Sequence, residues 1–205
     1  MQRIGIMGGT FNPVHKGHIA IAQAARKRYR LDRVIFVPSG NPPHKTHEYI
    51  APKEHRFKMV KLAISGKKDF HISRVEIDRA GYSYAVDTFN ELKKEYKGNA
   101  LLYYIMGMDS INEILDWKKP MELFNICQFI VATRLGAKIK TMRRILKFPP
   151  VKLHEKQVHL IEVRVDISST KIRESIKKGD IPAKLLNPRV INYIKRNKLY
   201  DYTGT

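Results

Sequence analysis

The chain has 205 residues, of which 43% are hydrophobic, so it is long enough for one domain with a proper core, and intrinsic disorder is excluded. It contains 39 Lys and Arg residues against 19 Asp and Glu residues, which gives a formal net charge of +20. This charge favours polyanions, which include nucleic acids, acidic membranes and phosphorylated small molecules. The basic residues are spread along the chain, so charge alone does not choose among these partners.

The predicted elements alternate between strands and helices from the N-terminus onward. A short apolar run over residues 3–8 predicts a strand, and apolar residues at helical spacing over 18–30 predict a helix. A run rich in β-branched residues over 32–38 predicts the second strand. Glycine and prolines then predict a loop over 39–49.

The alternation continues toward the C-terminus. Phe57, Val60 and Ile64 share one face of a helix predicted over 51–65. Further strands are predicted over 70–80, 100–107, 128–134 and 158–163, and further helices over 82–96, 108–117, 168–179 and 187–199. Asn187 is predicted to cap the last helix, with Pro188 in its first position.

Six strands with intervening helices predict an α/β fold of the Rossmann-like, doubly wound class. Its sheet is mostly parallel, with helices on both faces, and ligands bind at the carboxyl ends of the strands. We expect a single domain over residues 1–205. Within it, the basic stretch 136–157 is interpreted as an insertion, and 179–205 as a C-terminal helical segment.

Segments that would direct the chain to a membrane or out of the cell are not expected. No run approaches eighteen consecutive apolar residues, and the N-terminal apolar run leads into glycines rather than into a cleavage-like region. The single cysteine, Cys127, cannot form an internal disulfide, and its apolar neighbours predict burial. A reducing, cytoplasmic location and no membrane partner are therefore expected.

The stretch GGTFNPVHKGH, from Gly8 to His18, follows the first predicted strand directly. Gly8 and Gly9 allow a turn with exposed backbone N–H groups, and a helix begins near Gly17, so that its N-terminus favours anions. His15 and His18 are three residues apart and can face one ligand. The stretch therefore predicts a phosphate-binding turn, although it matches neither the dinucleotide fingerprint nor the Walker loop.

Two other interpretations of this stretch remain open. One is a plain strand-to-helix turn that carries surface histidines. The other is a zinc site, because HKGH at 15–18 is matched by HKTH at 44–47. Zinc sites prefer cysteine or carboxylate ligands as well, and no cysteine lies near either pair, which disfavours this interpretation.

A second motif, ISSTKIR at 167–173, follows the last predicted strand and opens a helix. Ser168, Ser169 and Thr170 can cap that helix, and Arg173 can form a forked contact with a phosphate. Alone, the motif is equally typical of an ordinary capped helix. Together, the two motifs predict two helix N-termini at the same end of one sheet, which suits a triphosphate.

With these two motifs the chain resembles the nucleotidyltransferases that carry the HxGH motif, here residues 15–18. Within that superfamily it is similar to bacterial nicotinate-nucleotide adenylyltransferases. The supporting segments, in family order, are NPPHK (41–45), YSYAVDT (82–88), MGMDS (106–110) and LDWKKPMEL (115–123). The chain differs from the pattern at Asn12, often Asp in the family, and at Lys118, often aromatic.

The resemblance implies transfer of AMP from ATP to nicotinate mononucleotide in NAD biosynthesis, giving deamido-NAD and pyrophosphate. It implies in-line attack without a covalent enzyme intermediate, with His15 and His18 as the catalytic residues. Mg²⁺ is implied as a cofactor that phosphate and water oxygens coordinate. The implied ATP-binding residues are Gly8, Gly9, Thr10, Phe11, Gly107, Asp109, Ser169, Thr170 and Arg173.

For the mononucleotide, the resemblance implies Asn41, His44, Lys45, Thr88 and Trp117. A charged solvent loop is the alternative for the first three residues, core packing for Trp117, and a helix N-cap for Asp109. Acceptance of nicotinamide mononucleotide or phosphopantetheine instead remains open. A nucleic-acid-binding module is the non-enzyme alternative that the +20 charge leaves open, and weak nonspecific binding of polyanions could accompany the enzyme. The oligomeric state is left undetermined.

Overall fold

A computed structural model describes residues 1–43, 49–133, 155–164 and 167–202. Six parallel strands form one sheet in the order β3-β2-β1-β4-β5-β6. The strands are β1 (Gln2–Gly9), β2 (Arg33–Pro38), β3 (Phe70–Ile72), β4 (Ala100–Gly107), β5 (Gln128–Thr133) and β6 (Val158–Glu162). The predicted fold class is confirmed.

Seven α-helices lie in the described ranges. They are α1 (Lys16–Tyr29), α2 (Lys53–Ile64), α3 (Ala85–Glu95), α4 (Met108–Asn112), α5 (Pro120–Ile126), α6 (Ser169–Lys177) and α7 (Pro188–Arg196). Short 3₁₀ helices span Ile114–Asp116, Glu155–Gln157 and Leu199–Asp201. The Asn187 cap is confirmed: its side chain accepts a hydrogen bond from the Arg189 N–H at 2.9 Å, and Pro188 occupies the first helical position.

Two hydrophobic clusters cover the two faces of the sheet. One face packs against α1, α2, α6 and α7, through residues such as Ala22, Met59, Ile172 and Val190. The other packs against α3, α4 and α5, around Phe89 and other apolar side chains. Burial on both faces explains why the central strands are almost continuously apolar. No helix among the described residues is both long and apolar enough to cross a membrane.

Two sequence predictions about the elements are wrong. The strand predicted over 70–80 ends at Ile72, because the Asp78 N–H bonds the Arg74 carbonyl and turns the chain away. The helix predicted over 108–117 is α4 followed by a 3₁₀ turn. The helix predicted over 51–65 is present as α2, with Val60 and Ile64 of the predicted face buried and Phe57 partly buried under the Arg74 guanidinium. Arg56 is buried as well. Helix α5 was not predicted.

The order of the sheet places a crevice at the carboxyl end of β1. This strand pairs with β2 on one side and with β4 on the other. The helix that follows β1 packs on one face of the sheet, and the helices that follow β4 pack on the other. Doubly wound folds bind ligands at this switch point. Cys127 is buried as predicted, and its Sγ lies 3.4 Å from the Leu123 carbonyl. Most of the basic stretch 136–157 lies outside the described residues, so its interpretation as an insertion stays a prediction.

Candidate active site

The loop after β1 begins the site and is shaped by Phe11. This residue has a positive φ of 50° and is 2% exposed. Its ring packs 5.0 Å from the His18 ring, edge to face. A Cβ on Gly9 would lie 3.3 Å from the Phe11 ring, which explains why the position before Thr10 suits glycine. The loop is thereby held tightly against the first turn of α1.

His15 and His18 form a reciprocal cap at the start of α1. The His15 Nδ1 accepts the His18 backbone N–H at 3.3 Å, and the His18 Nδ1 accepts the His15 backbone N–H at 3.2 Å. Their rings stack with centroids 3.7 Å apart. Because each Nδ1 is an acceptor, the proton of each neutral ring sits on Nε2. Among the described residues, neither Nε2 has a hydrogen-bond partner.

Both imidazoles are held in the neutral form. Burial lowers the pKa of His15 from its ordinary 6.5 to about 4. Burial, and then the nearby His15, lower the pKa of His18 well below its ordinary value. The first turn of α1 contains no acidic residue that would offset the positive end of the helix dipole. The site therefore offers two N–H donors and a helix N-terminus, which together suit an anion.

The structure brings the second motif against the first, as the sequence predicts. The Ser169 hydroxyl donates to the Pro13 carbonyl at 3.1 Å, and the Arg173 Nη1 donates to the Asn12 carbonyl at 3.0 Å. The Arg173 Nη2 lies 3.4 Å from the Thr170 hydroxyl, which is on the exposed side of α6. The predicted capping is wrong, because Ser168 is the N-cap residue of α6 but its side chain makes no capping hydrogen bond.

A cleft of about 660 Å³ opens where the two motifs meet. It is lined by most of the residues predicted for ATP: Gly8, Gly9, Thr10, Phe11, Gly107, Asp109, Ser169 and Arg173, together with His15 and His18. Thr170 is not among the lining residues. Gly107, rather than Asp109, is the N-cap of α4, so the N-cap alternative for Asp109 is wrong; its carboxylate is exposed in the first turn.

A second pocket of about 200 Å³ adjoins this cleft. Trp117, Lys118 and Tyr84 line its far side, and the prolines of the loop after β2 line its rim. The two cavities share the following described residues: Gly8, Gly9, Thr10, Tyr104 and Ser110. A ligand can therefore extend from the histidines past the glycine loop to the tryptophan without leaving the site.

Thr88 lies behind the wall of the smaller pocket rather than in it. Its side chain is 2% exposed, and its hydroxyl donates to the Glu76 carboxylate at 2.7 Å while Arg79 donates to it at 3.1 Å. Glu76 lines the pocket instead. Burial raises the pKa of Glu76, and hydrogen bonds from Thr88 and Ser83 oppose that rise. The geometry therefore does not favour direct contact between the Thr88 hydroxyl and a ligand.

The other residues predicted for the mononucleotide are distributed unevenly. Trp117 lines the smaller pocket, half-buried, with its ring 6.0 Å from that of Tyr104. Asn41 is exposed and outside both cavities, and its N–H donates to the Ser83 hydroxyl at 3.1 Å. His44 and Lys45 lie outside the described residues, so their predicted roles stay predictions.

Sequence reasoning missed Arg56, which ties the loops of the site together. This residue of α2 is 1% exposed, and burial lowers its pKa to about 10. Its three guanidinium nitrogens donate to the carbonyls of Ala51, Thr10 and Gly40 at 2.8, 2.9 and 3.0 Å. Arg56 thus joins the glycine loop after β1 to the loop after β2. No sequence signal marks it, since an arginine on a helix is usually exposed.

Tyr104 was also missed. It lies on β4 and lines both cavities, and burial raises the pKa of its hydroxyl. A Cβ on Gly8 would lie 3.1 Å from that hydroxyl, so the glycine leaves room for the Tyr104 side chain at the boundary between the two cavities. From the sequence, the apolar strand around Tyr104 predicted that this residue is buried, but not that it lines the site.

In the part of the chain that the structure describes, no group of three or more His, Cys, Asp or Glu side chains could hold a metal ion. His15 and His18 use their Nδ1 atoms to cap α1, which also argues against that pair as zinc ligands. His44 and His47 lie outside the described residues.

Comparison with known proteins finds relatives over nearly the whole chain. The family model for "Cytidylyltransferase-like" proteins matches residues 6–175. A protein of Thermoanaerobacter sp. named "Probable nicotinate-nucleotide adenylyltransferase" is 44% identical over 97% of this chain and 94% of its own. A protein of the same name from Moorella thermoacetica is 45% identical over 97% of this chain and 91% of its own.

Solved structures agree in fold. Plasmodium falciparum nicotinic acid mononucleotide adenylyltransferase in a complex with NaAD superimposes with a TM-score of 0.81, covering 99% of both chains at 21% identity. The same protein in a complex with APC gives a TM-score of 0.78. The chain belongs to the cytidylyltransferase-like family of nucleotidyltransferases. Within it, the chain groups with the bacterial nicotinate-nucleotide adenylyltransferases, as the motifs predicted.

Proposed function

We propose that this protein transfers the adenylyl group of ATP to nicotinate mononucleotide, forming deamido-NAD and pyrophosphate, as a step in NAD biosynthesis. One observation carries the proposal: a cleft rich in N–H donors continues past Gly8–Thr10 into a pocket lined by aromatic side chains. The first cavity suits a triphosphate and the second suits a flat ring. The names of the bacterial relatives agree with this substrate pair.

The reaction needs positioning and charge stabilisation rather than an enzyme base. A phosphate oxygen of the mononucleotide attacks the α-phosphorus of ATP, and the bond from that phosphorus to the bridging oxygen breaks in line. Pyrophosphate leaves with the electron pair of that bond. A phosphate monoester is already ionised near neutral pH, so neither a general base nor a covalent enzyme intermediate is required.

The two histidines act as neutral donors in this scheme. Each Nδ1 is fixed by a backbone N–H, so each Nε2–H is available to the α-phosphate oxygens, where negative charge increases in the transition state. His18, beside Phe11, is the stronger candidate for stabilising that charge. Preorganised donors of this kind need no rearrangement as the reaction proceeds.

The remaining roles follow the two cavities. Backbone N–H groups of Gly8, Gly9, Thr10 and Phe11 bind phosphate oxygens. Ser169 and Arg173 hold the β- and γ-phosphates, with Thr170 accepting from Arg173 outside the cleft, and Gly107 and Asp109 contact the adenosine ribose. Trp117, which lines the smaller pocket, stacks on the ring. The mononucleotide roles of Asn41, His44 and Lys45 rest on the family resemblance alone. Of the earlier set, Thr88 acts indirectly by orienting Glu76.

Mg²⁺ fits this site as an ion carried by ATP. Among the described lining residues, the cleft provides N–H donors and the single carboxylate of Asp109, and these do not form a carboxylate cage. Such a donor set suits an ion held mainly by phosphate and water oxygens. When bound, Mg²⁺ would neutralise charge on the phosphates.

Pyrophosphate release tests the proposal. The protein is mixed with ATP, Mg²⁺ and one acceptor at a time: nicotinate mononucleotide, nicotinamide mononucleotide or phosphopantetheine. We expect the fastest release with nicotinate mononucleotide and none when Mg²⁺ is chelated. Absence of release with all three acceptors would overturn the enzyme assignment, and steeply salt-dependent RNA binding in that case would favour the nucleic-acid module.

A further inference from the structure

Lys118 brings a cation to the smaller pocket, beside Trp117. Its Nζ donates to the Asp87 carboxylate at 2.9 Å and lies 4.5 Å from the centre of the Tyr84 ring. The ammonium group has three donors, and Asp87 uses one of them. Tyr84 and Asp87 together fix the position of the charge, while two N–H donors remain for a ligand.

Lys118 lies in the part of the site that is away from the cleft assigned to the phosphates. It lines the pocket that contains Trp117 and is not among the residues that line the histidine cleft. The phosphate of the mononucleotide has to reach the α-phosphorus of ATP at that cleft. The opposite end of the mononucleotide, its ring, therefore lies beside Lys118.

The other charges of this pocket are negative. Glu76 and Glu113 line it, and Asp87 contacts Lys118 from α3. Glu76 is turned toward Thr88 and Ser83, which donate to its carboxylate. Arg79 and Arg56 offset the charge of Glu76 from outside the lining of this pocket, whereas Lys118 is a cation of the lining itself, which an acidic substituent on the ring can reach. Among the described residues that line this pocket, Lys118 is the single lysine or arginine.

We propose that Lys118 determines specificity by pairing with the ring carboxylate of nicotinate mononucleotide, in preference to the uncharged amide of nicotinamide mononucleotide. This inference rests on the proposed function. A partly exposed ion pair of this kind is worth roughly a tenfold preference.

The test compares Lys118→Met with Lys119→Met in the full chain. Lys119 is the adjacent lysine, pairs with Glu122 at 3.2 Å, and is not among the residues that line the pocket, which makes it a matched control. Steady-state pyrophosphate release is measured with each mononucleotide. We expect Lys118→Met to lower kcat/KM for the acid roughly tenfold, mainly through KM, and to change that for the amide less than twofold.

Two further variants keep the result interpretable. Lys118→Arg retains the charge and should keep most of the preference for the acid, while Lys118→Gln repeats the loss of charge if the methionine variant does not fold. An unchanged acid-to-amide ratio in Lys118→Met or Lys118→Gln would overturn the specificity role and leave the proposed function intact. If the unmodified protein uses neither mononucleotide, the proposed function fails and this inference fails with it.

Discussion

The neutral state of the histidine pair should make the protein sensitive to acid. Burial lowers the pKa of His15 to about 4, against an ordinary value of 6.5 in an unfolded chain. The unfolded state therefore binds a proton before the folded state does. Stability is complete above about pH 6.5 and is lost as the pH falls toward 4.

The size of the effect follows from these two values. For a pKa of 6.5 when unfolded and about 4 when folded, proton linkage removes about 2 kcal/mol of unfolding free energy between pH 7.5 and pH 5. His18, whose pKa is also lowered, adds to this loss. For a domain with a typical stability of about 5–15 kcal/mol, a change of this size is readily measured.

Urea denaturation at pH 7.5 and pH 5 measures this loss of unfolding free energy. His15→Asn is the informative variant, because asparagine is a good N-cap residue and can accept the His18 N–H in place of Nδ1. We expect the variant to lose about 2 kcal/mol less than the unmodified chain between pH 7.5 and pH 5. Equal losses in the unmodified chain and His15→Asn would refute the neutral, buried histidine pair.

Three further substitutions probe the geometry of the site. His18→Ala should lower kcat about 10²- to 10³-fold in the pyrophosphate assay, and a rise in KM alone would reduce His18 to a binding residue. Arg56→Met should lower the unfolding free energy by about 3–5 kcal/mol in urea, because one buried and two part-buried hydrogen bonds to backbone carbonyls are lost. Arg56→Lys should fall in between, and a loss below 1 kcal/mol would contradict this role. Gly40→Ala should lower Tm, since its Cβ would clash with the Glu76 carbonyl, whereas Gly107→Ala meets nothing within 4 Å; equal Tm values would refute the tight loop contact.

The central elements could be predicted because their sequence signal and their burial coincide. Strand β4 was predicted at its observed bounds, since ALLYYIMG is buried on both faces and glycine ends it. The end of strand β3 could not be predicted. Apolar and polar residues alternate over 73–80 as they do in a strand, but there Arg74 and Asp78 are hydrogen-bonded across a turn. Helix α5 has seven residues, too few to show a helical period.

The candidate site divides in the same way. The glycine loop and the histidines carry a local pattern, so their placement at the carboxyl end of β1 could be anticipated. Arg56 and Glu76 act through contacts between segments far apart in the chain, and nothing in their neighbourhood of sequence marks them. Thr88 shows the converse: the motif predicts that it contacts the ligand, and no sequence signal indicates that its hydroxyl is buried against Glu76 and Arg79.

The narrow boundary between the two cavities has a consequence for how such enzymes diversify. The described residues common to both cavities are Gly8, Gly9, Thr10, Tyr104 and Ser110, whereas Trp117 and Lys118 belong to the smaller pocket alone. On the substrate placement that we propose, substitutions in the smaller pocket exchange one acceptor for another, while the residues that we assign to the triphosphate stay as they are. The fold separates what evolution can vary from what the chemistry requires to remain constant.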